Sequence, residues 1–443
     1  MSAADARPAA TTAAVARTAT AIAATPAAAT PAAATLAAAT SAAAHTDRPP
    51  GRRPLGADAH RIAAVDLPII PTIAAMVRAN PGTISLGQGV VNYGPPVDVG
   101  AALAPLGADP ALQKYQAVSG LPELIAALRT KLAEENGIAD QRDTEVIVSA
   151  GSNMAFLQAV LAVTDPGDEV ILPAPYYFNQ QMALTMVGVV PVLVPTDAAY
   201  QLDLAALAAA ITPRTRAIVT VSPNNPTGAV YPAGALAAVN ALCRDRGLYH
   251  FSDEAYEYFC FDGARHFSAA SLPGAAAHTL SFFSFSKGFG MASWRIGYLL
   301  YPAHLAEAMN KVQDTNLICA PVVSQLVALA AVRAGRAAVA PRLAALASVR
   351  ERVHARLASL GTRIDFVPTE GAFYALIRLP PVADPLAFNR AMVERFKVAT
   401  IPGFAFGLDP ALGNYQRLSY GALDGDIVTT GVDRFVAAVE ALC

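Results

Sequence analysis

Lysine is scarce in this chain. Of 32 Lys and Arg side chains only five are lysines: Lys114, Lys131, Lys287, Lys311 and Lys397. Where arginine supplies most of the positive charge, each lysine invites a question, because only a lysine amine can form a Schiff base. Charge is thin altogether, at 15% of 443 residues, with a formal net charge of −2. No basic stripe or Lys/Arg cluster breaks that balance, so there is no electrostatic footprint for nucleic acid or for an anionic membrane. A small, neutral-to-anionic metabolite is the partner that fits. Cysteine is limited to Cys243, Cys260, Cys319 and Cys443, without CxxC spacing or a nearby histidine at metal-ligand intervals. This argues against a metal site and a disulfide framework, and for reduced thiols in a cytoplasmic protein.

What the chain has instead is apolar bulk. Hydrophobic residues make up 54% of the sequence, enough for a sizeable core. A chain of this length suits one large domain plus a smaller one.

Residues 1–58 stand apart. Thr25 to Ala44 reads as four imperfect pentads, TPAAA-TPAAA-TLAAA-TSAAA. Ala, Thr and Pro offer few large apolar groups, so a disordered tail is expected. Pro26 and Pro31, with Ile22 and Leu36 the only isoleucine and leucine before Leu55, argue against a membrane span.

From about residue 60 short apolar runs alternate with helical stretches. The strand candidates are Glu145–Ala150, Glu169–Pro173, Val189–Pro195, Arg216–Ser222, Leu248–Ser252, Thr279–Ser284 and Arg295–Tyr301. Helical segments such as Asp203–Ile211 and Ala233–Arg246 lie between them, and a largely helical stretch follows to about residue 360. Continuously apolar strands alternating with helices predict an α/β fold, with a mostly parallel sheet flanked by helices. Further strands are expected at Ala372–Ile377 and Gln416–Ser419.

In such sheets ligands collect at the C-terminal strand ends, where the unusual clusters of this sequence fall. After the first strand comes Gly151-Ser152-Asn153, opening the apolar helix Met154–Val163; free backbone N–H groups and the helix dipole there suit an anion, though Ser152 also reads as an ordinary helix cap. Ser222-Pro223-Asn224-Asn225-Pro226-Thr227-Gly228 is a stiff turn able to aim an asparagine side chain. Asp253 closes an apolar strand, where a carboxylate needs a cation beside it or serves as a cap. Ser284-Phe285-Ser286-Lys287-Gly288 places a lysine directly after an apolar strand, where burial lowers its pKa and frees a neutral amine.

The ordered set Tyr115, GSN at 151–153, NNPTG at 224–228, DEAYE at 253–257, SFSK at 284–287, Arg295 and Arg417 resembles the class I/II aminotransferases of fold type I, over about residues 65–440. Leu86-Gly87-Gln88-Gly89 and Gly120-Leu121-Pro122-Glu123-Leu124 are similar to that family's N-terminal signatures. APYYFNQQM, SFSKGFGMASWRIGY and KVQDTNLICAPVVSQ look closest to plant-type aromatic and methionine aminotransferases. The resemblance implies a seven-stranded sheet in a large domain, 96–325. It adds an N-terminal arm and part of a small domain at 59–95, and a C-terminal small domain at 326–443.

It also implies pyridoxal 5′-phosphate (PLP) as cofactor, carried by Lys287 as a Schiff base. Asp253 would pair with the pyridine nitrogen, and Asn225 and Tyr256 would bond the ring oxygen. Tyr177 would stack on the ring. Ser284, Ser286, Arg295 and the backbone at Gly151, Ser152 and Asn153 would hold the phosphate. Arg417, helped by Gly89 and Asn225, would clamp the substrate carboxylate, and Tyr115 would reach the phosphate of a neighbouring subunit in a homodimer. The implied reaction moves an amino group from an L-amino acid, aromatic or methionine, to a 2-oxo acid by a ping-pong route. Val91-Asn92-Tyr93 departs from the usual segment near the substrate side chain, which puts specificity in doubt. A PLP-dependent β-lyase or decarboxylase shares the lysine, aspartate and phosphate site and stays open; a PLP-sensing regulator would need a helix-turn-helix module, which residues 1–58 do not supply.

Overall fold

The computed structural model describes Gly56 and residues 58–443, so the expected tail at 1–58 lies almost wholly outside the described residues. Asp58 to Cys443 forms one compact unit. At its centre is a seven-stranded sheet, ordered Thr144–Ser149, Gly297–Pro302, Thr279–Ser284, Tyr249–Asp253, Thr215–Val221, Glu169–Ala174, Val190–Pro195. Strand 297–302 runs antiparallel to both its neighbours, and the other pairings are parallel. All seven expected strands are present, within a residue or two at each end. The one consequential shift is at the last: Arg295 is not in the strand but sits before it with φ 51°, in a turn that ends at the strand start Gly297.

Both faces of the sheet are covered, which is why its strands lack polar alternation. Strand 169–174 shows the arrangement: Val170 and Leu172 pack with Phe156, Phe251 and Phe282 on one side, while Ile171 packs with Ile218, Val239 and Cys243 on the other. Helix boundaries follow chain chemistry. Ala233–Arg246 stops at Gly247 and Pro122–Asn136 at Gly137, each glycine in the left-handed conformation a helix end favours. The expected helix at 203–211 is shorter, Leu204–Ala209, with the Asp203 side chain accepting from the Ala206 amide.

N- and C-terminal segments meet outside this sheet. Ile84–Ser85 pairs in parallel with Val398–Ala399. A four-stranded antiparallel sheet orders Ile401–Pro402, Asn414–Ser419, Tyr374–Leu379 and Asp365–Phe366. The stretch to residue 360 is helical in two parts around a turn, Ala306–Asn316 and Val322–Ala358, the latter broken at Gly335 (φ 69°).

Candidate active site

Three neighbouring parallel strands deliver the central residues. The strands 215–221, 249–253 and 279–284 lie side by side, and Asp253 pairs in register with Val221 and with Phe282. Their C-terminal ends carry Asn225, Asp253 and Lys287, so one sheet edge gathers an amide, a carboxylate and an amine. Strand 144–149 runs parallel to them and leads into Gly151, while antiparallel 297–302 starts at that edge, with Ser149 and Ser284 both opposite Gly297.

Lys287 Nζ donates to the Gly89 carbonyl at 2.5 Å and lies 5.6 Å from the Tyr256 ring centroid. Burial pulls its pKa down to about 8, aided by the Arg417 and Arg295 cations and opposed by Asp253. Asp253 is 7% exposed. Burial lifts its pKa to about 6, and only part of that rise is offset by the Ala255 amide at 3.1 Å and the Gln180 amide at 2.8 Å. Near neutral pH this is a buried, ionised carboxylate, with capacity left for a cation.

The asparagines of the SPNNPTG turn divide the work. Asn224 Oδ1 accepts from the Thr227 amide at 3.1 Å and hydroxyl at 2.8 Å, which builds the turn. Asn225 faces the site: its Nδ2 donates to the Tyr256 hydroxyl at 3.2 Å and its Oδ1 accepts from Arg417 at 2.8 Å. Arg417, on strand 414–419, is 2% exposed and gives its second terminal nitrogen to the Gly87 carbonyl at 2.7 Å. Its Nε is buried and has no hydrogen-bond partner among the described residues.

The helix reading at 154–163 needs one correction. The helix begins at Ser152 and its cap position is Gly151 (φ 88°), so Ser152 is not the cap, and among the described residues no side chain caps this end. The Ser152 and Asn153 amides are therefore left to an outside acceptor. A side chain at 151 would strike the Arg295 guanidinium, which donates to the Ala292 carbonyl at 2.8 Å. Ser284 Oγ accepts from the Ser286 amide at 3.2 Å. Tyr177 stands at the start of helix Phe178–Val187, its hydroxyl bonded by Asn179 at 2.8 Å. Gly89, Asn225, Asp253, Tyr256, Lys287 and Arg417 are thus brought together, with Gly151, Asn153 and Arg295 along the same edge. Tyr115 is not among them: it is 81% exposed.

Gln180, Tyr374 and Phe406 were not foreseen. Gln180 lies in the first turn of helix Phe178–Val187, three residues after the Tyr177 cap position, and its amide reaches Asp253. Tyr374 and Phe406 flank Arg417, their ring centroids 4.5 and 4.9 Å from its guanidinium carbon. In sequence both read as core aromatics.

The family described as aminotransferase class I and II matches residues 81–435. The chain belongs to that family. It is 33% identical to an aromatic aminotransferase of Arabidopsis thaliana over 87% of this chain and 97% of the relative. Identity to a probable aspartate/prephenate aminotransferase of Aquifex aeolicus is 34%, over 74% and 84%. Among solved structures, a mutant aspartate aminotransferase of Thermus thermophilus superposes with a TM-score of 0.79 at 32% identity, covering 86% of this chain and 99% of that one. The fold is that of fold type I, and the chain is a transaminase of a PLP-dependent family acting on amino acids and 2-oxo acids.

The bonding capacity left open fits PLP. A partly neutral amine, a buried carboxylate short of a cation, an uncapped helix start beside a guanidinium, and an orphaned Arg417 Nε match in turn an aldehyde, a pyridinium, a phosphate and a substrate carboxylate.

Proposed function

We propose that this aminotransferase carries PLP on Lys287 and takes its amino group from an aromatic amino acid or methionine. The observation that supports it is the joint placement of Lys287, Asp253 and Arg417 around Asn225. When bound, PLP supplies an aldehyde for the amine and a ring that accepts electrons from the substrate Cα. Asp253 would hold the proton on the ring nitrogen by the negative charge it keeps above about pH 6. The Ser152 and Asn153 amides and Arg295 would bind the phosphate. Arg417 would orient the substrate through a two-pronged contact with its carboxylate, a geometry a lysine would not reproduce. Lys287 Nζ would take the Cα proton and return it to the cofactor's former aldehyde carbon, on the far side of the substrate nitrogen, as an amine that is neutral above about pH 8 can.

The aromatic or methionine preference rests on APYYFNQQM and on the similarity to aromatic aminotransferases; aspartate and prephenate enzymes at comparable identity are the competing reading. A homodimer is part of the proposal, because Tyr115 is exposed on its own chain and would serve a partner's site. A cytoplasmic location is the remaining part, supported by free cysteines.

A donor–acceptor panel on the PLP-loaded protein tests the proposal. Tyrosine, phenylalanine or methionine should yield the matching 2-oxo acid, aspartate should be slower, and Lys287→Ala should abolish turnover. Ammonia release in place of amino transfer would favour a lyase, and a fully active Lys287→Ala variant would overturn the assignment.

A further inference from the structure

We propose that Tyr374 is a positioning residue with two separable roles: its ring sets the plane of the Arg417 guanidinium, and its hydroxyl sets the direction of the Tyr256 proton. The inference rests on the functional reading above and extends it to a residue that has no role there.

Strand geometry explains the first role. Leu376 stands opposite Arg417 in the antiparallel pair, so Tyr374, two residues away, is Arg417's diagonal neighbour on the same face. Its ring lies 4.5 Å from the guanidinium carbon, and Phe406 lies at 4.9 Å. A desolvated guanidinium over an aromatic face is held by the ring quadrupole and lies flat on it. Gly87 O and Asn225 Oδ1 fix the two terminal nitrogens, and the ring fixes the plane.

Counting protons gives the second role. Asn225 Oδ1 is taken by Arg417, so the Asn225 amide gives its N–H to the Tyr256 oxygen at 3.2 Å. The Tyr374 hydroxyl meets the same oxygen at 2.8 Å, closing a ring of four side chains: Arg417, Asn225, Tyr256 and Tyr374. Tyr256 has one proton to give. If it goes to a bound acceptor, both lone pairs of its oxygen can be filled, one by Asn225 and one by Tyr374. Tyr374 has no other hydrogen-bond acceptor among the described residues, and leaving a fully buried hydroxyl without one is costly. Gly89 makes the approach possible, because a Cβ there would stand 2.6 Å from the Tyr374 oxygen. Burial raises both phenols above their ordinary pKa, Tyr374 to about 12, so both remain protonated at working pH.

Tyr374→Phe keeps the ring and removes the hydroxyl; Tyr374→Leu removes both. In the PLP-loaded enzyme with its best donor, Tyr374→Phe should lower kcat about tenfold, one hydrogen bond's worth, with KM within about twofold. Tyr374→Leu should in addition raise the donor KM about tenfold. A substrate-free measurement separates positioning from folding: the pH at which the bound cofactor's visible absorbance changes should move upward by about one pH unit in both variants, because Tyr256 donates less firmly. An active wild type whose Tyr374→Phe variant matches it in kcat and in the absorbance titration overturns the proposal. So does a Tyr374→Phe variant that loses activity only in step with its melting temperature, its titration unmoved. A wild type that transfers no amino group refutes the functional reading instead.

Discussion

Burial moves two groups at this site toward neutrality from opposite sides. Lys287 is brought down to about 8 and Asp253 up to about 6, in each case chiefly by desolvation. Between those values the amine is still mostly protonated and the carboxylate mostly ionised. A lysine pKa below its usual 10.5 means the folded protein binds fewer protons than the unfolded chain between about 8 and 10.5, so its contribution to stability grows as pH rises through that interval. Asp253 works the other way: the stability it contributes is complete below 3.8 and is lost as pH rises through about 6. Only the neutral amine can attack an aldehyde. Loading of PLP onto cofactor-free protein should therefore quicken about tenfold per pH unit below 8 and level off above it. Stopped-flow absorbance measures this, and a rate still climbing at pH 10 would show an ordinary, solvated lysine.

The strand ends and one glycine hold these groups in place. Gly151 has φ 88° and ψ 163°, backbone that is nearly restricted to glycine, and an added Cβ would meet the Arg295 guanidinium. Gly151→Ala should cost ~1–3 kcal/mol of stability through the backbone. It should also weaken PLP binding about tenfold, since the guanidinium must swing from the helix start. Thermal melting and fluorescence titration read the two effects, and unchanged PLP affinity would remove Arg295 and the 151–153 turn from the phosphate site. This element was largely legible in the sequence because an apolar strand, a glycine and small polar residues have few other uses in that order. The exact start of the helix was not legible, because a serine after a glycine reads as a cap until the backbone is seen. Nor was the position of Arg295: an apolar run extends to it in sequence, whereas the strand begins two residues later.

At the scale of the whole molecule, what could be read were the residues whose chemistry is costly in an apolar setting. A lysine and an aspartate closing buried strands, and an arginine within Asn414–Ser419, stand out against a chain with 15% charge. Tyr374 and Phe406 were hidden for the opposite reason. An aromatic in an apolar run is ordinary core, and only the pairing of strand 374–379 with 414–419 shows that it lies beside Arg417. Long-range pairing likewise joins Ile84–Ser85 to Val398–Ala399, more than three hundred residues along the chain, bringing Gly87 and Gly89 to the site. Everything converges on one amine, and it can be tagged directly. Borohydride reduction of the PLP-loaded protein, followed by peptide mass mapping, should place the pyridoxyl group on Lys287 alone. A pyridoxyl group on Lys114, Lys131, Lys311 or Lys397, or on no lysine, would contradict the account.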